Sequence, residues 1–376
     1  MSRTLVITND FPPNQGGIES YVHELVSRMD PADLVVFASR APGDREYDQA
    51  LPYKVIRASG RTLLPSPTVR HRAIDIIRKE KIDAVWYPSS VPMGLLAPSI
   101  WRHTDVKRQI ATTHAHEVWW AKVIGLRHAL HRVGQSVDHM TYITEFTRGA
   151  IEPALSQEAS QRMVHLSPAV SDGQFQFDAD PGPVLDRYGL ARRPMVLCVG
   201  RLVPRKGQDI LLQAMPQVLA GHPEAVLVIV GKGDYADHLK RLAWRLGLTD
   251  AVIFTGGVPQ AILPSFYAAA SLFAGPSRSR YGGLEVEGFG IVYLEAQASG
   301  LPVVVGRSGG SPEALQDGRT GLLVDGTDPA AVASAINQLL ADPIMAKAMG
   351  QAGRAWVQSK WTWDSRAALL QELLAV

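Results

Sequence analysis

Two carboxylates, Glu287 and Glu295, stand eight positions apart in EGFGIVYLEAQASGLPVVV, residues 287–305. The glycine-bearing GFG opens into an apolar run that ends at Ser299-Gly300, with Pro302 and a β-branched stretch beyond. The pattern predicts a helix from near Gly288 to Gly300, followed by a buried strand. Glu287 then sits at the helix N-terminus beside unpaired N–H groups. Glu295 lies about 12 Å further along the axis at ~1.5 Å per residue. Such an element offers hydroxyl-binding carboxylates at two points and an anion-binding end near the first. The same residues also fit a plain N-cap and a solvated helix face.

Further upstream, VLCVGRLVPRKGQDILLQA places Arg201 and Lys206 five positions apart across a strand-to-helix turn. Both can point at one anion, Arg as a planar fork and Lys as a point charge, a pairing suited to a diphosphate. Arg205 is expected to be solvent-exposed. Gly231 and Gly233 in VIVGKGD mark a strand end where backbone can approach a ligand, and VIFTGGVP is another. Near the N-terminus, NDFPPNQGGIES follows a strand and opens a helix; Gly16-Gly17 there serves either close phosphate approach or a plain tight turn. His114 ends an apolar strand in ATTHAHEVWWAK, and its preferred role is to donate a hydrogen bond to a sugar hydroxyl. His116 and Glu117 beside it raise the question of a metal, but no further cluster has ligand-like spacing. His116 reads as a surface or cap residue, and Trp119 and Trp120 as core or exposed contacts. Hydroxyl-binding groups around a diphosphate site suit a nucleotide-sugar.

These residues need a scaffold that brings strand ends together. In the first half TLVITN, DLVVFAS, YKVIRA, IDAVWYP, RQIATTH and MTYIT alternate with helical stretches; in the second, MVLCVG, AVLVIVG, AVIFTG, SLFAGPS, PVVVG and GLLVD do the same. Alternation of this kind argues parallel, doubly wound sheets. At 376 residues the chain is expected to form two domains. The expected division is 1–168 and 169–360, with the amphipathic tail helix 361–376 packing back on the first. The stretch from Pro168 to Leu190 is the linker candidate. Two α/β domains facing across a cleft would hold a ligand at the carboxyl ends of their strands.

Composition narrows the function. Apolar residues make up 46%, enough for two cores, and the net charge of +2 does not mark a nucleic-acid binder. The single cysteine, Cys198, lies in an apolar run and reads as core; it rules out an internal disulfide and suits a reducing compartment. Neither a secretory signal nor a transmembrane run is expected. A dinucleotide G-x-G-x-x-G is missing after the first strand, and a Walker-type loop is absent. Charge is uneven: residues 61–132 hold twelve Lys and Arg against five Asp and Glu, together with Trp101, Trp119 and Trp120. A basic surface with tryptophans fits an anionic membrane face.

GRLVPRKG, EGFGIVYLEAQASGLPVVV and SGGSPEALQDGRTGLLVD, in this order and with FPPNQGG upstream, resemble the retaining GT-B glycosyltransferases of family four. The resemblance spans nearly the whole chain and is closest to the actinobacterial phosphatidylinositol mannosyltransferases of the PimB type. It implies two Rossmann-like domains and mannose transfer from GDP-mannose to a phosphatidylinositol mannoside. It implies no cofactor and no metal, and a cytoplasmic enzyme peripherally bound to the inner face of the plasma membrane. By the same resemblance Glu287 holds donor-sugar hydroxyls, and N–H groups of Phe289, Gly290 and Ile291 help hold sugar and phosphates. Glu295 takes the ribose, Arg201 and Lys206 the diphosphate, Gly16 and Gly17 approach that diphosphate, and His114 contacts the sugar. Two departures stand out: PAVSDGQF replaces the usual linker motif, and SRSRYGGLEV before Glu287 is long. The alternatives are a GT-B epimerase or transferase using a UDP-sugar, and a nucleotide-sugar-binding protein without catalysis.

Overall fold

The structure is a computed structural model, described for residues 2–14, 16–171, 173, 175, 178–191 and 193–376. The chain divides into two compact units, residues 1–168 with 363–376, and residues 169–362.

In the first unit seven strands form one all-parallel sheet. They are β1 (Thr4–Thr8), β2 (Leu34–Ala38), β3 (Lys54–Arg57), β4 (Ala84–Tyr87), β5 (Arg108–Thr113), β6 (His139–Tyr142) and β7 (Met163–His165), in spatial order 3-2-1-4-5-6-7. The first six coincide with the apolar runs of the sequence. β7 was not expected, because MVH is short and only half-buried. β1, β2 and β4 are buried along their whole length, as strands covered on both faces must be. Leu5, Ile7, Val35, Phe37, Val85 and Tyr87 build the core with Ile76, Ile77 and Leu130 from helices. The helix Trp363–Leu374 belongs to this unit, with Trp363 edge-on to Tyr21 at 5.8 Å.

The second unit repeats the plan with β8 (Met195–Val199), β9 (Val226–Val230), β10 (Val252–Gly256), β11 (Leu272–Gly275), β12 (Val303–Gly306) and β13 (Gly321–Val324), in order 10-9-8-11-12-13. Val196, Leu227, Ile229, Val304, Leu211 and Ile336 centre its core. In both sheets chain order reverses beside the first strand, between β1 and β4 and between β8 and β11. Loops diverge at these points and leave a crevice at the carboxyl ends of the strands. The linker candidate is partly helical, over Gly182–Tyr188. Its residues Asp172, Gln174, Gln176 and Phe177, like Gln15 in the FPPNQGG loop, lie outside the described residues.

Candidate active site

In the second unit the crevice between β8 and β11 collects the charged residues. After β8 the chain makes a short 3-10 turn, Pro204–Lys206, and after β11 it runs through Pro276 and Ser277. Glu287 is 6% exposed and receives three donors on one oxygen: Lys206 Nζ at 2.6 Å, Arg205 Nη1 at 2.9 Å and Ser277 Oγ at 3.4 Å from Oε2. Burial alone would raise the Glu287 carboxyl; Lys206 and Arg205 outweigh it and hold the group below the usual carboxylate range. Its backbone is fixed too, since the N–H donates to Ser308 Oγ at 3.1 Å and the carbonyl accepts from Gly310 N–H at 2.9 Å.

The helix that follows runs Ile291–Ala298, three residues later than the sequence suggests. Glu287 therefore lies in the loop before it and neither caps it nor sits on its axis. Gly290 is the N-cap, in the left-handed region at φ 89°, and a Cβ there would collide with the Tyr293 ring. Only glycine meets both demands. The Phe289 side chain is buried against Trp361, ring centroids 5.0 Å apart. The N–H groups of Phe289, Gly290 and Ile291 donate to no acceptor among the described residues, so this helix end is open to an anion.

Glu295 is buried at 7% exposure, not on a solvated face, and accepts from Tyr267 Oη at 2.7 Å. Burial pushes its carboxyl up to about 7, against smaller opposing pulls from Tyr267 and Lys206. Burial likewise pushes the Cys198 thiol up to about 12, which keeps it an inert core residue. Gly231, at φ 149°, is approached by backbone: a Cβ would meet the Gly200 carbonyl of the neighbouring loop. This loop packing by itself requires glycine at the position.

The first unit assembles its own cluster at the ends of β1, β4 and β5. Glu117 is fully buried and acts as a bracket. Its Oε1 accepts from Ser90 N–H at 3.1 Å and Ser90 Oγ at 2.9 Å, and its Oε2 from His114 N–H at 2.7 Å. Ser89 Oγ donates to Asp10 Oδ2 at 2.9 Å, which ties in the loop after β1. His114 Nε2 donates to the Pro88 carbonyl at 2.8 Å. Burial lowers this imidazole to about 4, so it is neutral at physiological pH with its proton on Nε2. Nδ1 is then an acceptor, which reverses the expected donor role. Tyr21, on the helix Gly17–Val26, meets the His114 ring edge-on at 5.3 Å. Gly16 and Gly17 are exposed at the start of that helix; a Cβ on Gly16 would collide with the Glu19 carboxylate, whereas one on Gly17 would meet open space. His116 Nε2 lies 3.3 Å from Glu117 Oε1, and no metal-holding group of three or more His, Cys, Asp or Glu exists among the described residues.

Residues 188–356 match the family model for glycosyl transferases group 1, and residues 15–163 that for glycosyltransferase family 4. The chain is 44% identical, over 99% of its length and 98% of the relative's, to the GDP-mannose-dependent alpha-(1-6)-phosphatidylinositol monomannoside mannosyltransferase of Mycolicibacterium smegmatis. It is 42% identical, over 99% and 97%, to the GDP-mannose-dependent monoacylated alpha-(1-6)-phosphatidylinositol monomannoside mannosyltransferase of Corynebacterium glutamicum. The chain belongs to the group 1 glycosyltransferases. Among solved structures, Anabaena HepE in complex with UDP and glucose shares the fold, with TM-score 0.84, 19% identity, and coverage of 100% of this chain and 99% of that one.

Within this glycosyltransferase, Lys206 and Glu287 meet directly, with Phe289, Gly290 and Ile291 just beyond. Arg201 does not join them: its side chain is exposed and makes no ion pair among the described residues. Arg205, expected in solvent, is instead a direct partner of Glu287, its side chain only 19% exposed. It escaped sequence reasoning because adjacent cations normally diverge, and only the turn's tertiary anchoring aims both at one oxygen. Glu117 and Tyr267 were missed for a like reason, because their partners are distant in the chain or on other elements.

Proposed function

We propose that this glycosyltransferase moves mannose from GDP-mannose to a phosphatidylinositol mannoside with retention of configuration. The observation that carries the proposal is Glu287: a buried, ionised carboxylate paired with Lys206, next to three N–H groups at a helix start that donate to no acceptor among the described residues. This arrangement suits sugar hydroxyls and diphosphate side by side. The relatives whose names specify GDP-mannose and phosphatidylinositol monomannoside support the choice of donor and acceptor.

On this proposal Glu287 accepts hydrogen bonds from the sugar and Glu295 from the ribose. Lys206, Arg201 and the N–H groups of Phe289, Gly290 and Ile291 take the charge that develops on the leaving diphosphate. That work is assigned to side chains and N–H groups, so the proposal calls for no metal. Gly16 and Gly17 also approach the diphosphate, and His114 Nδ1 accepts from a sugar hydroxyl. Retention through a covalent intermediate needs a free carboxylate against the anomeric carbon. Glu287 is ill-suited, because Lys206 and Arg205 hold it. The proposed route is front-face attack: the acceptor hydroxyl bonds to the anomeric carbon as the carbon–phosphate-oxygen bond breaks. The hydroxyl's proton passes to the departing phosphate oxygen.

A lipid-linked acceptor implies peripheral docking at an anionic membrane face. No helix among the described residues is long and apolar enough to span a membrane. Of the twelve cations in 61–132 all but Arg70 and Arg108 are exposed, while Glu80 and Glu117 are buried. Trp101 and Trp119 are 36% and 44% exposed, whereas Trp120 packs on the core. The functional test is a donor and acceptor screen read by product mass, with GDP-mannose, UDP-glucose and UDP-N-acetylglucosamine as donors. Mannosylated lipid from GDP-mannose alone is expected; transfer only from a UDP-sugar would overturn the proposal.

A further inference from the structure

Glu287 Oε2 is held by two cations, where one would neutralise it. Neighbouring residues of a 3-10 turn point about 120° apart, so aiming Arg205 and Lys206 at one atom requires the turn to be anchored from outside. Arg278 N–H donates to the Arg205 carbonyl at 2.8 Å. Gly207, at φ 71°, passes so close to the Pro276 carbonyl that any side chain would collide. The turn is thereby tied to the loop that carries Ser277. Of the Arg205 fork, Nη1 alone bonds to Glu287.

A diphosphate entering beside Glu287 competes for Lys206, whose compact ammonium on a flexible stem can shift towards it. A buried carboxylate stripped of its only cation takes up a proton instead, and a neutral Glu287 would bind sugar hydroxyls less well. We propose that Arg205 is a positioning residue, the standing counter-ion of Glu287 that frees Lys206 to serve the leaving diphosphate. The inference rests on the donor-site reading of Glu287 given above.

The test compares Arg205→Ala and Arg205→Lys in the wild-type and Glu287→Gln backgrounds, with whichever of the three screened sugar nucleotides the wild type hydrolyses. Arg205→Ala should lower kcat/KM about tenfold or more and also weaken nucleoside-diphosphate binding, because Lys206 is then held by Glu287. The acid limb of kcat/KM should move up by about one pH unit, because Lys206, Ser277 and Tyr293 are then the groups left facing Glu287. Arg205→Lys should restore most of that limb. In Glu287→Gln, Arg205→Ala should cost less than about twofold. An acid limb that does not move, or an equal loss in both backgrounds, would overturn the inference; the second outcome would place Arg205 on the donor itself. If Arg205→Ala does not fold, Arg205→Gln carries the same comparison. Turnover of a UDP-sugar alone would correct the donor and leave Arg205 to be judged on that nucleotide by the same criteria. Turnover of none would overturn both readings.

Discussion

Binding of GDP should release a proton, and Glu295 should be its source. Burial holds this carboxyl near 7, with Tyr267 Oη as its hydrogen-bond partner at 2.7 Å. Near pH 7 it is therefore about half protonated. Ribose hydroxyls donating to the ionised form would be worth about 1.5–3 kcal/mol. At ~1.36 kcal/mol per unit, that lowers the bound pKa by about one to two units. Linkage then gives a release of roughly 0.4–0.5 proton per GDP near pH 7, and an affinity about five- to tenfold weaker near pH 6 than near pH 8. Calorimetry in buffers of different ionisation enthalpy measures the release. Subtracting Glu295→Gln removes the proton contributed by the terminal phosphate of GDP itself. The sign for stability follows from the same shift. The folded pKa is raised, so this group's stabilisation is complete below about 4.5 and lost as the pH rises towards 7. Glu295→Gln should abolish that slope. Equal proton release from wild type and Glu295→Gln would refute the ribose assignment.

The other predictions separate the roles further. Lys206→Met should lower both kcat/KM, by about tenfold or more, and the melting temperature, because it removes a partner of a buried carboxylate; Arg201→Ala should lower kcat/KM and leave the melting temperature unchanged, and wild-type kinetics from both would remove them from the site. Gly290→Ala should destabilise the protein by about 1–3 kcal/mol in urea titration, given the left-handed backbone and the Tyr293 ring. His114 is neutral when folded, with its pKa lowered to about 4, so acidification from about 6.5 should cost stability progressively, and this slope should vanish in His114→Phe; an unchanged slope would contradict the buried, neutral imidazole. Sedimentation with anionic vesicles should fade with salt and weaken in Arg70→Ser/Arg72→Ser/Lys79→Ser, and equal binding to neutral vesicles at low salt would rule out this docking face.

The periodic parts of the molecule were legible in the sequence. Among the described residues twelve of the thirteen strands coincide with apolar runs, because a strand buried on both faces must be apolar throughout and carries its own signature. β7 lacks that signature and was missed. The Glu287–Glu295 spacing and the Lys206 turn were legible too, since a glycine-bearing loop and its charges are local in the chain. What the residues do in space was decided by the tertiary structure. The αL requirement at Gly290 delays the helix to Ile291 and moves Glu287 off it. Burial takes Glu295 to about 7 and His114 to about 4, and desolvation is a property of the surroundings, not of the local sequence. Arg205 looked like a solvated neighbour of Lys206; the tie between Arg278 and the 204–206 turn, more than seventy residues apart in the chain, brings it to Glu287. Pairwise contacts across such separations leave no periodic trace, so they become visible only when the two loops meet at the end of the sheet.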